Sequence, residues 1–232
     1  MNYTINLDEV DSDGAIREAA GEVSGDTRLS FLKKAGIAGG AAMSGGAILS
    51  ALAPSAFAAS GHGRPPASFG KGDIGILNYA LTLEYLEAAF YNGASAANIP
   101  LSSQAAAFLK VVTKDENEHV KFLKHALGSK AAKEPRFNFN GANTNAAMFM
   151  KTAQVLENTG VHAYSGQALN IKSPAYVKAA VSILTIEARH ASVIGLLNDS
   201  SGEAITPDGA FDTPLTAAKV LAAVKGTGFI VG

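Results

Sequence analysis

Two stretches of the chain carry a carboxylate and an imidazole three residues apart: Glu116-Asn117-Glu118-His119 and Glu187-Ala188-Arg189-His190. On a helix this spacing puts both side chains on one face, a turn apart, where they can bind a cation together. Two other segments carry a single Glu followed seven residues later by Tyr, as Glu84 to Tyr91 and Glu157 to Tyr164. The order along the chain is Glu, Glu-x-x-His, Glu, Glu-x-x-His. Glu84 precedes Glu116 by 32 residues and Glu157 precedes Glu187 by 30, as expected for two similar helical hairpins facing each other about a pseudo-twofold axis. One Glu from each of two helices and a Glu-x-x-His pair from each of two others is the known donor set of carboxylate-bridged di-iron and di-manganese centres in helical bundles. The chain matches that pattern.

For these residues to meet, four helices must carry them into one core. Residues 73–94 place Leu77, Leu81, Glu84, Ala88 and Tyr91 on one stripe at alternating steps of four and three. A second helix, capped by Ser102 or Ser103 and stopped by Gly128, carries Phe108, Val112, Asp115 or Glu116, His119, Phe122 and Ala126. Thr144 opens a third, with Met150, Ala153, Glu157, Gly160 or Val161, Tyr164 and Ala168. Ser173-Pro174, a cap followed by proline at the first helical position, opens a fourth with Tyr176, Ala180, Ile183, Glu187, His190, Ile194 and Leu197. The prediction is an all-α protein whose residues 73–198 form a four-helix bundle. The connection from Gly128 to Asn143 exceeds a tight turn and is expected to cross the bundle end. In the extension over 199–232, Thr213-Pro214 introduces a short helix from Leu215 to Val224, expected to pack outside the bundle.

Each of the four stripes thus has a carboxylate where an apolar side chain belongs. Burying an ionised carboxylate without a partner costs several kcal/mol, and four facing one another also repel, so cations among them are the natural remedy. The blander reading is a pair of buried Glu–His hydrogen bonds between helices, which leaves Glu84 and Glu157 without obvious partners. In the two-metal reading Glu84, Glu116, His119, Glu157, Glu187 and His190 are the ligands. Glu116 and Glu187 bridge, Glu84 and Glu157 are terminal, and each His has its second ring nitrogen fixed by an acceptor. Glu87, one turn from Glu84, could replace it or join it, and the Glu-x6-Tyr parallel favours Glu84. Asp115 and Glu118 flank the pair on the second helix, one behind the ligands and the other solvated. Tyr91 and Tyr164 suit hydrogen bonds to ligand carboxylates or plain core packing. Arg189, His125 and His162 lie off the stripes and read as surface residues, and His62 belongs to a linker.

Composition narrows the chemistry. Lys and Arg total 19 against 20 for Asp and Glu, and a net charge of -1 leaves no footprint for nucleic acid or anionic lipid. The absence of cysteine excludes disulfides, thiolate metal sites and iron–sulfur clusters. Any metal must sit on oxygen and imidazole nitrogen, a set that suits two iron or two manganese ions per chain without separating them, with dioxygen or peroxide as the reactant. Residues 1–26 form a polar, acidic leader. The following Thr27-Arg28-Leu29-Ser30-Phe31-Leu32-Lys33-Lys34, an Ala/Gly-rich run and Ser55-Ala56-Phe57-Ala58-Ala59 have the basic, apolar and Ala-x-Ala order of an export signal. That order resembles a twin-arginine signal with Leu29 in place of the second arginine. Leader and signal span 1–59, with cleavage after Ala58 or Ala59, and 60–72 reads as a linker. The expectation is an exported protein, periplasmic, envelope-bound or extracellular, without a membrane anchor unless the signal is retained.

Residues 73–198 resemble the ferritin-like domain family, in its branch of exported bacterial and desiccation-related plant proteins. The resemblance rests on Leu77-Asn78-Tyr79-Ala80-Leu81-Thr82-Leu83-Glu84-Tyr85-Leu86-Glu87-Ala88-Ala89-Phe90-Tyr91, on the two Glu-x-x-His pairs and on Gly209-Ala210-Phe211-Asp212-Thr213-Pro214-Leu215. It implies metal binding and oxidation chemistry: a di-metal oxidoreductase of ferroxidase, peroxidase or manganese-catalase-like type, with a role in oxidative stress. The alternative is a stress- or desiccation-related structural or partner-binding bundle whose metal site is structural or vestigial. A homo-oligomer is compatible with either, whereas the leader, loop and tail give no support to a closed storage cage.

Overall fold

The apolar stripes become four long helices in the computed structural model, which describes residues 63–231: α1 (Gly72–Ala97), α2 (Ser103–Leu127), α3 (Ala146–Gln167) and α4 (Pro174–Asn198). A shorter α5 (Ala217–Thr227) follows, and one-turn 3-10 segments link several of them. The leader and export-signal readings, and His62, lie outside the described residues.

Helix ends follow local chemistry, with two departures from expectation. The Ser102 hydroxyl accepts from the Ala105 N–H at 3.2 Å, and α2 stops at Gly128, whose φ of 55° suits glycine. The cap of α3 is Asn145, not Thr144: its side chain accepts from the Met148 N–H at 3.0 Å, while the Thr144 hydroxyl donates to the Gly141 carbonyl in the preceding turn. Ser173 and Pro174 do open α4, but the Ser173 side chain makes no capping bond. Asp73 of α1 reaches across instead and accepts from the Lys172 and Ser173 N–H groups at 2.9 and 2.8 Å. That carboxylate ties the start of α4 to the start of α1.

The same bonds fix the topology. Asn78, near the start of α1, donates to the Lys130 carbonyl at 3.0 Å and accepts from the Ala132 N–H at 2.8 Å, so α2 finishes at that end. Gly93, near the far end of α1, abuts the Asn143 side chain just before α3 begins. The connection between α2 and α3 therefore runs along the bundle for about 22 Å, the rise of the helix from Asn78 to Gly93, and not across its end as expected. α1 and α4 point one way, α2 and α3 the other. A bridge between Phe137 and Ile230 pins the segment after α5 to this crossover.

Apolar side chains fill the bundle above and below a charged layer. One cluster holds Phe90, Tyr91, Phe108, Phe149 and Ile194, with Phe90 stacked on Phe149 at 5.4 Å between ring centroids. The other holds Leu77, Leu81, Leu123, Leu127, Tyr164 and Ile183. On α2 the stripe reaches the core through Leu123, which is 4% exposed, whereas Phe122 is 44% exposed. The step after His119 is four residues where three was expected. The tail lies against the four helices through one face of α5, whose Ala217, Val220 and Val224 are buried within the first cluster. Their helical spacing gives α5 one apolar face, and that face closes on the bundle. The Gly/Pro-rich stretch before α1 is tied down as well, since the Gly63 carbonyl accepts from the Gln167 side chain at 2.8 Å and from the Ala217 N–H at 2.9 Å.

Because α5 contributes to the core, Val220→Ala is expected to lower stability by about 1–3 kcal/mol in chemical denaturation. A loss under about 0.5 kcal/mol, usual for a surface position, would place α5 outside the core.

Candidate metal centre

α3 presents one Glu to the charged layer, α1 presents Glu84 with Glu87 one turn beyond, and α2 and α4 each present a Glu-x-x-His pair. Glu84, Glu116, Glu157 and Glu187 are all 0% exposed. His190 is buried, and the His119 side chain is 12% exposed. Their donor atoms form two groups, each with all atoms within 4.8 Å of one another: Glu84, Glu116, His119 and Glu187 in one, Glu116, Glu157, Glu187 and His190 in the other. The structure thus brings all six residues together, with Glu116 and Glu187 common to both groups.

Distances within the layer are short, yet they do not add up to hydrogen bonding. His119 Nδ1 lies 3.2 Å from each of Glu84 Oε2, Glu116 Oε2 and Glu187 Oε1. His190 Nδ1 lies 3.1 Å from Glu116 Oε1 and 3.3 Å from Glu157 Oε2. The two oxygens of Glu116 therefore face different histidines. One N–H cannot serve three carboxylates, and Glu116 Oε1, Glu157 Oε2, both Glu187 oxygens and His190 Nδ1 have no hydrogen-bond partner among the described residues. Buried polar atoms are rarely left this way. Orphaned oxygens and a ring nitrogen aimed at shared points are what a cation requires, so the donor set fits a two-metal centre.

An outer ring of side chains holds the layer. The Tyr91 hydroxyl donates to Glu157 Oε1 and the Tyr164 hydroxyl to Glu84 Oε1, so each phenol on one hairpin serves the carboxylate of the other. His190 Nε2 lies 3.3 Å from Asp115 Oδ2, which orients the ring with Nδ1 inward. No described residue plays that part for His119 Nε2. Glu118 is exposed and pairs with Lys121 at 3.5 Å. Arg189 and His125 are exposed, in keeping with their off-stripe positions. His162 is not a surface residue: it is half-buried with Nε2 3.2 Å from Asp208 Oδ2, because the segment after α4 folds back over α3. Glu87 stands in the layer alongside Glu84, buried among the other carboxylates, and its i+3 offset from Glu84 was the signal for it.

The layer strains toward neutrality. Burial pushes the Glu116 acid up to about 7, although contacts with His119 and His190 pull the other way. Burial and neighbouring carboxylates push Glu187 and Glu87 well above the usual carboxylate range. At Glu84 burial is outweighed by His119, Glu116 and Tyr164, and the acid ends below its ordinary value. Burial disfavours a charged His190, but Glu116 and Glu157 raise it to about 11; the carboxylates around His119 raise that ring too. Two imidazolium ions cannot balance five carboxylates. At 4 Å and an effective dielectric of about 20, each like-charge pair costs about 4 kcal/mol.

A family model described as ferritin-like domain matches residues 72–199. The chain belongs to that family. The ferritin-like domain thus coincides with α1 to α4 and contains every donor of the layer, while α5 and residues 63–71 are additions to it. Among curated proteins no match is found.

The ferritin-like domain freed of metal is expected to lose stability as pH rises. Glu116 shifts from 4.5 to about 7 on folding, and Glu187 and Glu87 shift the same way. The folded state therefore holds more protons than the unfolded one in that window, and the contribution present below about pH 4.5 is lost as pH passes through 7. The raised histidines act with the same sign above their ordinary 6.5, and lowered Glu84 acts only below 4.5. Urea denaturation of chelator-treated protein should show a fall on the order of 2 kcal/mol from pH 5 to pH 8. A level or rising profile would contradict this account of the layer.

Proposed function

We propose that the ferritin-like domain holds two iron or manganese ions and turns them to ferroxidase- or peroxidase-type chemistry on dioxygen or peroxide, in an exported protein that guards against oxidants. The carrying observation is the convergence of orphaned donors. Glu116 and Glu187 belong to both groups, Glu84 and His119 complete one, and Glu157 and His190 complete the other. When bound, such a pair of ions supplies Lewis acidity and electrons within reach of one small reactant.

The chain's own residues prepare the place. Tyr91 and Tyr164 hold one oxygen each of Glu157 and Glu84, leaving the second oxygen of each carboxylate directed inward. Asp115 keeps the inner nitrogen of His190 available. Phe90, Phe149, Leu81 and Ile194 exclude bulk water from the layers on either side. An apolar cleft lined by Leu77, Ala80, Phe122, Ile183 and Tyr164 suits a small apolar reactant such as dioxygen. Oxygen and imidazole donors accept both metals. Export is supported by the basic, apolar and Ala-x-Ala order of residues 27–59.

Elemental analysis of protein purified from its native compartment tests the reading. About two iron or manganese ions per chain are expected, as in two-metal sites generally, and a variant carrying both Glu116→Ala and Glu187→Ala should lose both, together with ferrous oxidation or peroxide consumption. Native protein without metal, with the double variant equally stable, would sink the proposal and leave a bundle bridged by Glu–His hydrogen bonds.

A further inference from the structure

We infer that Glu87 is the fifth carboxylate of the centre, a fixed counter-charge that favours its oxidised state. The inference rests on the two-metal reading above and adds a regulator of its potential.

Glu87 is 3% exposed and sits one turn beyond Glu84 on α1. Its counterpart in the other hairpin, three residues beyond Glu157, is Gly160. The pseudo-twofold pattern is broken at this pair, and the two residues meet. A Cβ on Gly160 would stand 2.7 Å from Glu187 Oε2 and 3.4 Å from Glu87 Oε1, so carboxylates from α4 and α1 flank the space that a methyl group would fill. Glycine inside a helix costs about 1 kcal/mol relative to alanine. Here its missing side chain is the room in which Glu87 lies beside Glu187.

The other four carboxylates each have a neighbour in the protein that favours the ionised form. Glu84 has Tyr164 and His119, Glu116 has both histidines, Glu157 has Tyr91 and His190, and Glu187 has His119. Glu87 makes no hydrogen bond or ion pair with any described residue. A small cleft of about 30 Å³, room for a water or two, reaches it between α1, α3 and α5 past Leu86, Leu156 and Val224, and no basic side chain lines that cleft. Among the described residues no positive charge faces Glu87 across that cleft, so metals held by the layer would supply it.

Charge counting then gives the direction. Two divalent ions would balance Glu84, Glu116, Glu157 and Glu187; the raised acid of Glu87 belongs to the layer without cations, and beside them its ionised form would add one negative charge in a medium of low dielectric. Loss of one electron to a redox mediator would raise the charge of such a pair to match five carboxylates. A negative charge held nearby stabilises the more positive state more strongly, so Glu87 lowers the reduction potential.

The test uses full-length protein loaded with iron or manganese, as wild type, Glu87→Gln and Glu87→Asp. Gln keeps the shape and removes the charge; Asp keeps the charge. All three are expected to hold the same number of ions by elemental analysis. In a mediated redox titration Glu87→Gln should titrate at a higher potential than wild type, with Glu87→Asp close to wild type. Equal potentials for wild type and Glu87→Gln, or an Asp variant shifted as far as Gln, would overturn the counter-charge. A Gln variant holding fewer ions would overturn it too, making Glu87 a ligand. Wild type that loads no metal would refute the two-metal reading itself, a distinct result.

Discussion

Moving a carboxylate from water into a helical core costs several kcal/mol unless opposite charge goes with it, and this domain places Glu84, Glu87, Glu116, Glu157 and Glu187 in one buried layer. That cost has to be met inside a bundle whose other cohesion is ordinary apolar packing. The long helices, 22 to 26 residues in α1 to α4, leave whole turns of Leu, Phe and Ile on both sides of the layer. Those turns keep bulk water out and so make the layer more demanding. Only partners placed inside it can answer: two imidazoles, two phenols, and any cations that the remaining lone pairs would hold. Cations held there would couple metal binding to folding, because the unfolded chain has no preformed site.

Near-symmetry explains how so many donors are positioned by so little chain. α1 and α3 run antiparallel, and the Glu-x6-Tyr spacing on each lets Tyr91 reach Glu157 while Tyr164 reaches Glu84. One spacing, used twice, satisfies both pairs. The departures from symmetry are therefore informative. Asp115 supports His190, but the equivalent position before Glu187 is Ile186, which can accept nothing, and His119 goes without such support. Glu87 and Gly160 form the second break, and there the smaller residue makes room for the larger.

Much of this was legible in residue spacing because the helical period and the donor types are local properties. The four stripes located Glu84, Glu116, His119, Glu157, Glu187 and His190 on the faces that turn inward. What escaped were features set by contacts distant in sequence. A one-residue slip in phase after His119 exchanges Phe122 for Leu123, since both steps fit a helix equally well. The capping of α4 by Asp73 joins residues about a hundred positions apart, and nothing near Ser173 announces it. The direction of the crossover depends on where Asn78 and Gly93 catch its two ends. His162 looked solvent-facing because the Asp208 that covers it lies in a loop without periodicity. Glu87 was visible as a carboxylate at the right offset. Its joining of Glu84 required knowing that Gly160 stands opposite.

The additions outside the four helices bear on the same spot. Ala223, Val224 and Thr227 of α5 form one wall of the cleft that leads to Glu87, facing Leu83 and Leu86 of α1 and Leu156 of α3. α5 is held there by its own buried face and by the Gly63 carbonyl at its first turn. Without α5 that side of α1 and α3 would open to water, whose high dielectric would weaken the field of Glu87 at the layer. The short C-terminal helix therefore does more than extend the core: by keeping the surroundings of the unpartnered carboxylate apolar, it lets a single charge act at full strength on whatever cations the layer holds.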